Sequence, residues 1–175
     1  LERMGADLGF EVIGVGLVAA PGGTIYSSTR IRELLAAGDV EGAAALLGRP
    51  HEQRGTVEHG DERGRELGFP TANVAVPARA CVPAAGVYAG TFTGADGVER
   101  IPAISLGRRP TFYEEADLSL LEAHLLDFDG DLYGHPAAVR FLARIRGQER
   151  FATVDALVPQ MERDVAQARE LAAGW

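Results

Sequence analysis

Lysine is absent from this sequence: all 17 basic residues are arginine. That absence excludes the P-loop, whose lysine reaches the nucleotide phosphates, the strand lysine of protein kinases, and every Schiff-base mechanism. Cysteine is nearly absent as well. Cys81 stands alone, so neither an intrachain disulfide nor a cysteine-clustered metal site can form, and the chain reads as one adapted to a reducing cytoplasm. His51, His59, His124 and His135 show no HxxxH or HxH spacing, which argues against zinc. No apolar run approaches the roughly 20 residues that cross a bilayer. Basic charge is also short: 17 arginines against 25 Asp and Glu leave a net charge of −8, which disfavours nucleic acid and anionic membranes as partners. Nucleic acid drops down the list.

What is present is an ordinary globular composition, 46% hydrophobic over 175 residues, enough for one full domain and a fragment. The chain opens at Leu1 without a methionine or a signal pattern and reads as a piece of a longer one. Phe10 to Val18, rich in Val and Ile and bounded by Gly9 and Pro21-Gly22-Gly23, predicts a buried strand. Ser28 predicts the N-cap of a helix from Thr29 to Ala37 that stops at Gly38; Asp39 predicts the cap of a second, through Leu47, that stops at Gly48. From Arg54 to Arg146 short Val-, Ile-, Thr- and aromatic-rich segments alternate with glycine turns. They predict strands near 53–59, 72–76, 86–93, 99–106, 118–128 and 137–145, the spacing of an antiparallel barrel, with a hairpin turn at Gly94-Ala95-Asp96-Gly97. A final helix runs to about Ala172, its apolar face carrying Leu157, Met161, Val165 and Ala168; Pro159 fits only a first turn and predicts a start later than Thr153.

Four constellations can carry chemistry. Gly55 to Asn73, GTVEHGDERGRELGFPTAN, places glycines at 55, 60, 64 and 68 beside Arg63 and Arg65, either a surface turn with a charged tip or a loop that brings backbone N–H groups and guanidiniums to a phosphate. In Pro70-Thr71-Ala72-Asn73, residues two apart share a strand face, so the Thr71 hydroxyl and the Asn73 amide oxygen project together. Two hard neutral oxygens suit Mg²⁺ that draws its counter-charge from substrate phosphates, while an ordinary strand start would use the same residues to bond local backbone. Glu122 sits inside the apolar run LSLLEAHLLDF, where it either pairs with an arginine or, partly desolvated, serves as a general base. Gly107-Arg108-Arg109-Pro110-Thr111-Phe112 can wall a flat ligand or close a hairpin. Asp127, Asp129 and Asp131 read as turn formers, and His59, His124 and His135 as structural histidines.

In order and spacing, GTVEHGDERGRELGFPTAN, GRRPTF and LEAHLLDFDGDLYG resemble the riboflavin kinase module of bacterial bifunctional riboflavin kinase/FAD synthetases, and the resemblance runs from about Arg49 to the terminal helix. Tyr26-Ser27-Ser28-Thr29-Arg30-Ile31-Arg32 is similar to the ISSTxIR motif that ends the FMN adenylyltransferase domain of the same family, with Tyr26 in place of isoleucine. The resemblance implies two parts: residues 1–48, a C-terminal remnant of the nucleotidyltransferase domain with Ser27, Ser28, Thr29, Arg30 and Arg32 from its ATP motif, and residues 49–175, the kinase. It implies a mainly β fold, a six-stranded antiparallel Greek-key barrel with a C-terminal helix after a short α/β remnant. It further implies Mg²⁺-dependent phosphorylation of the ribityl 5′-hydroxyl of riboflavin by ATP, giving FMN and ADP. By the same token Glu122 is the base; Thr71 and Asn73 hold magnesium and phosphate; Gly60, Arg63, Gly64 and Gly68 cover ATP; and Arg108, Arg109, Thr111, Phe112 and Leu125 face the flavin. Arg109 stands where the family often has asparagine and adds a positive charge that favours the phosphate of FMN. The full-length relative would also convert FMN to FAD. Half a nucleotide site cannot orient both reactants, so FAD formation is not expected of this chain. The rival expectation is a non-catalytic flavin-binding or regulatory barrel. The remnant would leave Val12, Ile13 and Val15 uncovered, an apolar surface available for self-association.

Overall fold

The computed structural model describes residues 1–19, 23–60, 64, 67–109 and 118–175, with the side chains of Arg108, Arg109, Leu118 and Ser119 left aside. Among these residues the elements are α1 (Glu2–Leu8), α2 (Ser28–Ala37), α3 (Val40–Leu47), β1 (His51–Glu58), β2 (Ala72–Ala75), β3 (Gly86–Thr93), β4 (Glu99–Arg100), β5 (Pro102–Arg109), β6 (Leu118–Leu125), β7 (Pro136–Gly147) and α4 (Val154–Ala172).

All strand pairings are antiparallel, in the order β4-β3-β5-β6-β2-β1-β7, and β7 also pairs with β3. That last pairing closes six strands into a barrel and removes the free edges of the sheet. β3, β5 and β6 follow one another as neighbours, and β7 returns to lie beside β3, which is the Greek-key order. Side chains alternate as a barrel wall requires. Leu121, Ala123 and Leu125 point into the core with Tyr88, Phe92, Ile104, Leu106, Val139 and Phe141, while Glu122 and His124 lie on the outer face of β6. Two glycines permit close strand approach: a Cβ at Gly55 would collide with the Ala75 carbonyl, and one at Gly90 with that of Arg140. The turn at Gly94 to Gly97 forms as expected, with Gly97 at φ 73° and its N–H bonded to the Gly94 carbonyl.

Three expectations change. Phe10 to Val18 forms no strand; only an isolated bridge joins Ala19 to Ile25, and Ile13, Val15 and Leu17 are 78%, 87% and 80% exposed. A strand needs a neighbour to satisfy its backbone, and among the described residues no strand pairs with this segment. α1, unsignalled by any capping side chain, precedes it. The N-cap of α2 is Ser27 rather than Ser28, its side chain accepting from the Arg30 N–H. Finally, Thr153 caps α4 at once and Pro159 lies inside the helix. The i−4 carbonyl that Pro159 cannot serve belongs to Asp155, an exposed residue of the helix's first turn, where a lost helical bond costs less than in a buried one.

α2 and α3 pack on the barrel. Leu35, Val40 and Ala43 are 1%, 0% and 0% exposed and belong to the same core as the strands. Arg144 of β7 reaches the last carbonyl of α2, Ala37, at 3.0 Å and the Ala85 carbonyl at 3.2 Å. α4 lies against the outer face of β3, β5 and β7.

Candidate active site

The register builds the site. Asn73 of β2 and Ser105 of β5 both stand opposite Glu122 of β6, so three polar side chains form a row across three adjacent strands. One residue pair along, Ala72 opposes Ala123 and Thr71 follows the same alignment towards His124. Thr71, Asn73, Glu122 and His124 therefore share one patch of the outer barrel wall.

Two cavities meet there. The first, about 460 Å³, lies between the β1–β2 connection and the 128–133 loop; Gly60, Asp129 and Asp131 line it, and the His59 and Tyr133 rings stack at its rim with centroids 3.7 Å apart. The second, about 410 Å³, lies between the barrel and α4; it contains Glu122, His124, Ser105, Arg146 and Gln148 facing the apolar stripe Leu157, Met161 and Val165. Thr71 and Asn73 line both. A molecule in each cavity would have its end at this shared wall.

Asn73 is 9% exposed, and its Oδ1 is buried without a hydrogen-bond partner. A buried amide oxygen left open is costly, and an occupant that satisfies it removes that cost. Gly60 approaches so closely that a Cβ there would overlap the Asn73 amide, which is why the chain has glycine at the mouth of the first cavity. Beyond it, the Phe69 N–H bonds to the Gly64 carbonyl at 2.8 Å and Gly68 turns at φ 84°. These bonds return the chain to Pro70 and Thr71.

The second cavity is framed by ion pairing. Arg146 of β7 donates twice to Asp164 of α4, Nε to Oδ1 at 2.9 Å and Nη2 to Oδ2 at 2.6 Å, and Gln160 donates to Oδ1 at 2.8 Å. The Asp164 carboxylate holds the guanidinium pKa of Arg146 above its ordinary value. Gln148 donates to Ser105 Oγ at 3.2 Å and to the Leu106 carbonyl at 3.1 Å, tying the chain after β7 to the row that holds Glu122.

The chain matches the riboflavin kinase (Flavokinase) family over residues 47–172. It belongs to the riboflavin kinase family. The match takes in every strand of the barrel and α4, and so both cavities. Bifunctional riboflavin kinase/FMN adenylyltransferase of Pseudomonas fluorescens is 42% identical over 173 residues, 99% of this chain and 54% of the relative. The same protein of Escherichia coli K12 is 40% identical over 171 residues, 97% of this chain and 53% of the relative. The chain thus spans about half the length of the curated relatives it matches. A crystal structure described as a macrolide-efflux protein from Streptococcus pneumoniae superposes with a TM-score of 0.81 at 37% identity, covering 96% of this chain and 54% of that one. Among the described residues here, no helix is long and apolar enough to cross a membrane.

Not every residue singled out in the sequence lies at this candidate site. Leu125 lines the first cavity and is 5% exposed, because strand alternation turns it away from the face that carries Glu122. Ser27, Ser28, Thr29, Arg30 and Arg32 line neither cavity; Arg30 pairs with Glu33 at 3.1 Å on the surface of α2. Arg63, Thr111 and Phe112, and the side chains of Arg108 and Arg109, lie outside the described residues. The sequence reading missed Ser105, His124, Arg146, Gln148 and Asp164. Period-two spacing from Glu122 points to His124, but the others become neighbours only through the barrel register and the docking of α4.

Proposed function

We propose that this chain phosphorylates the ribityl 5′-hydroxyl of riboflavin with ATP, giving FMN and ADP, in the cytoplasm. The observation that carries the reading is the pairing of Asn73 with Glu122 across β2 and β6, Asn73 lining both cavities and Glu122 the second. ATP lies in the first cavity with its phosphates towards Thr71 and Asn73, and the flavin lies between the barrel and α4 with its ribityl end towards Glu122. The Glu122 carboxylate accepts the hydroxyl proton as the oxygen attacks phosphorus, a contribution of about 10²- to 10⁴-fold. The buried, unpartnered Asn73 Oδ1 and the neighbouring Thr71 hydroxyl are hard neutral oxygens that fit Mg²⁺ kept largely on water and substrate phosphates. When bound, that ion neutralises phosphate charge. The Thr71 and Asn73 side chains fix the end of the nucleotide relative to Glu122, and positioning with charge neutralisation is most of what phosphoryl transfer needs, without a P-loop lysine.

For adenylylation of FMN, residues 1–175 supply only the start of α2, so we expect FMN and no FAD from this chain alone. Chromatography of riboflavin, ATP and Mg²⁺ incubated with the chain tests this: FMN with stoichiometric ADP supports it, and flavin binding with no FMN refutes it.

A further inference from the structure

We infer that His124 is a positioning residue: it ties the segment that carries Thr71 to the strand that carries Glu122, and so sets where the phosphate-holding oxygens stand relative to the base. The inference deepens the riboflavin phosphorylation reading above and rests on it.

Thr71 is the least supported member of the site. β2 begins only at Ala72, its ladder to β6 starts at Ala72 with Ala123, and its ladder to β1 starts at Asn73 with Glu58. Thr71 therefore lies just outside both ladders, and Pro70 before it has no N–H to donate. His124 supplies the missing tie. Its Nδ1 lies 2.8 Å from the Pro70 carbonyl oxygen. A carbonyl only accepts, so the imidazole donates through Nδ1–H, and the bond fixes the tautomer. The Phe69 ring meets the His124 ring edge-on, with centroids 5.3 Å apart and planes at 64°, which limits rotation of the imidazole.

The geometry gives the tie its consequence. His124 is two residues from Glu122 on the same face of β6, so any tilt of that strand carries base and tether together. With the bond intact, Thr71 moves with Glu122. Without it, the Pro70-Thr71 peptide is held, among the described residues, by the Phe69 to Gly64 bond on one side and by β2 on the other, and the distance between hydroxyl and carboxylate loosens. Small misplacements of positioned groups are expensive in rate. The tie itself acts on the nucleotide side, because Thr71 holds phosphate and metal; the His124 ring also lines the cavity between the barrel and α4, so loss of its contact with the flavin falls on every His124 substitution alike.

The test compares His124→Leu with His124→Asn in the full 175-residue chain. Asparagine places an amide N–H where Nδ1–H stood; leucine fills a similar volume and donates nothing. Four quantities are measured: kcat, KM for MgATP, the MgADP dissociation constant by calorimetry, and the riboflavin dissociation constant by flavin fluorescence quenching. For His124→Leu we expect roughly three- to tenfold weaker MgADP binding, the effect of losing one net-stabilising hydrogen bond to an exposed carbonyl, with a comparable fall in kcat/KM for MgATP. Because His124 lines the flavin cavity, riboflavin affinity falls by a similar amount in both variants, whereas His124→Asn recovers most of the MgADP loss. Wild-type MgADP binding by His124→Leu overturns the inference. So does equal loss of MgADP affinity in both variants, or a loss confined to riboflavin. If His124→Leu does not fold, His124→Gln, whose amide lies one bond too far out, takes its place with the same expectations. Should the unaltered chain form no FMN, the phosphorylation reading fails, while the MgADP comparison still decides whether His124 holds the Thr71 segment.

Discussion

Removing residues from the N-terminus should split residues 1–48 into two energetically different parts. The first 26 make mostly local contacts: the buried residue of α1, Gly5, packs on Phe10 and Val12 of the same segment, and most of the described residues from 11 to 26 are exposed. Deleting them should move the melting temperature by no more than about 3 °C, the change that roughly 1 kcal/mol makes in a domain of this size. Deleting residues 1–48 removes α2 and α3, including Leu35, Val40 and Ala43, all at 0–1% exposure in the barrel core. Burial of a leucine or valine contributes about 1.5–3 kcal/mol each and an alanine methyl about 0.8 kcal/mol. The barrel surface beneath is uncovered at the same time, and the Arg144 clamp on Ala37 and the bond from the Ala84 N–H to the Leu35 carbonyl are lost. The total, roughly 4–7 kcal/mol as an upper range, is a large part of the 5–15 kcal/mol that ordinarily holds a domain together. Urea denaturation followed by circular dichroism, with FMN formation in parallel, measures it. Equal midpoints for the full chain and the 49–175 fragment would refute the reasoning, and so would an equal loss from both deletions. The family match begins at residue 47, which makes the 49–175 fragment the natural one to try and, on this argument, the wrong one.

Three further outcomes are expected. Glu122→Gln keeps the shape of the base and removes its ability to take a proton, so turnover should fall about 10²- to 10⁴-fold with riboflavin and MgADP affinities unchanged; unaltered turnover removes Glu122 from the chemistry. Asp164→Asn breaks a pair whose side chains are 16% and 7% exposed and leaves Arg146 without its anion, which should cost about 3 kcal/mol in urea and raise KM for riboflavin more than for ATP; an unchanged denaturation midpoint would show that the pair does not dock α4. Burial holds the pKa of His51 below its usual 6.5, so as pH falls through that value the unfolded chain takes up the proton first and stability drops, whereas above it the contribution is complete; thermal melts at pH 7.5 and 5.5 should show a larger drop for the unaltered chain than for His51→Gln, and equal drops would assign the acid sensitivity elsewhere.

The barrel was readable because its signals are local. Valine- and aromatic-rich segments of strand length, punctuated by glycine, mark every barrel strand to within a few residues, and caps such as Asp39 with Gly48 mark the ends of α3. Phe10 to Val18 carries the same local signal and yet forms no strand. Composition reports that a segment suits a sheet; it does not report whether a sheet edge lies beside it. The converse error at Pro159 has a similar origin. Propensity assigns proline a fixed penalty, while the actual cost depends on the surroundings of the carbonyl it orphans, which here belongs to the exposed residue Asp155.

The site divides along the same line. Thr71 with Asn73, and Glu122 alone, are legible because strand period two and an unexplained carboxylate in an apolar run are properties of single segments. What converts them into one site is the antiparallel register between β2 and β6, which aligns Asn73 with Glu122. A shift of one residue would turn Glu122 into the core and Ala123 outward, burying a charge. The alternation of Leu121, Ala123 and Leu125 against that interior therefore sets the candidate site as well as the fold: the apolar face fixes the register, and the register places Glu122 beside Asn73. His124 lies within this logic. It is on the chemical face of a strand whose other face fixes the register, and its bond to Pro70 extends the alignment beyond the end of β2, to the first residue that the ladder itself no longer holds.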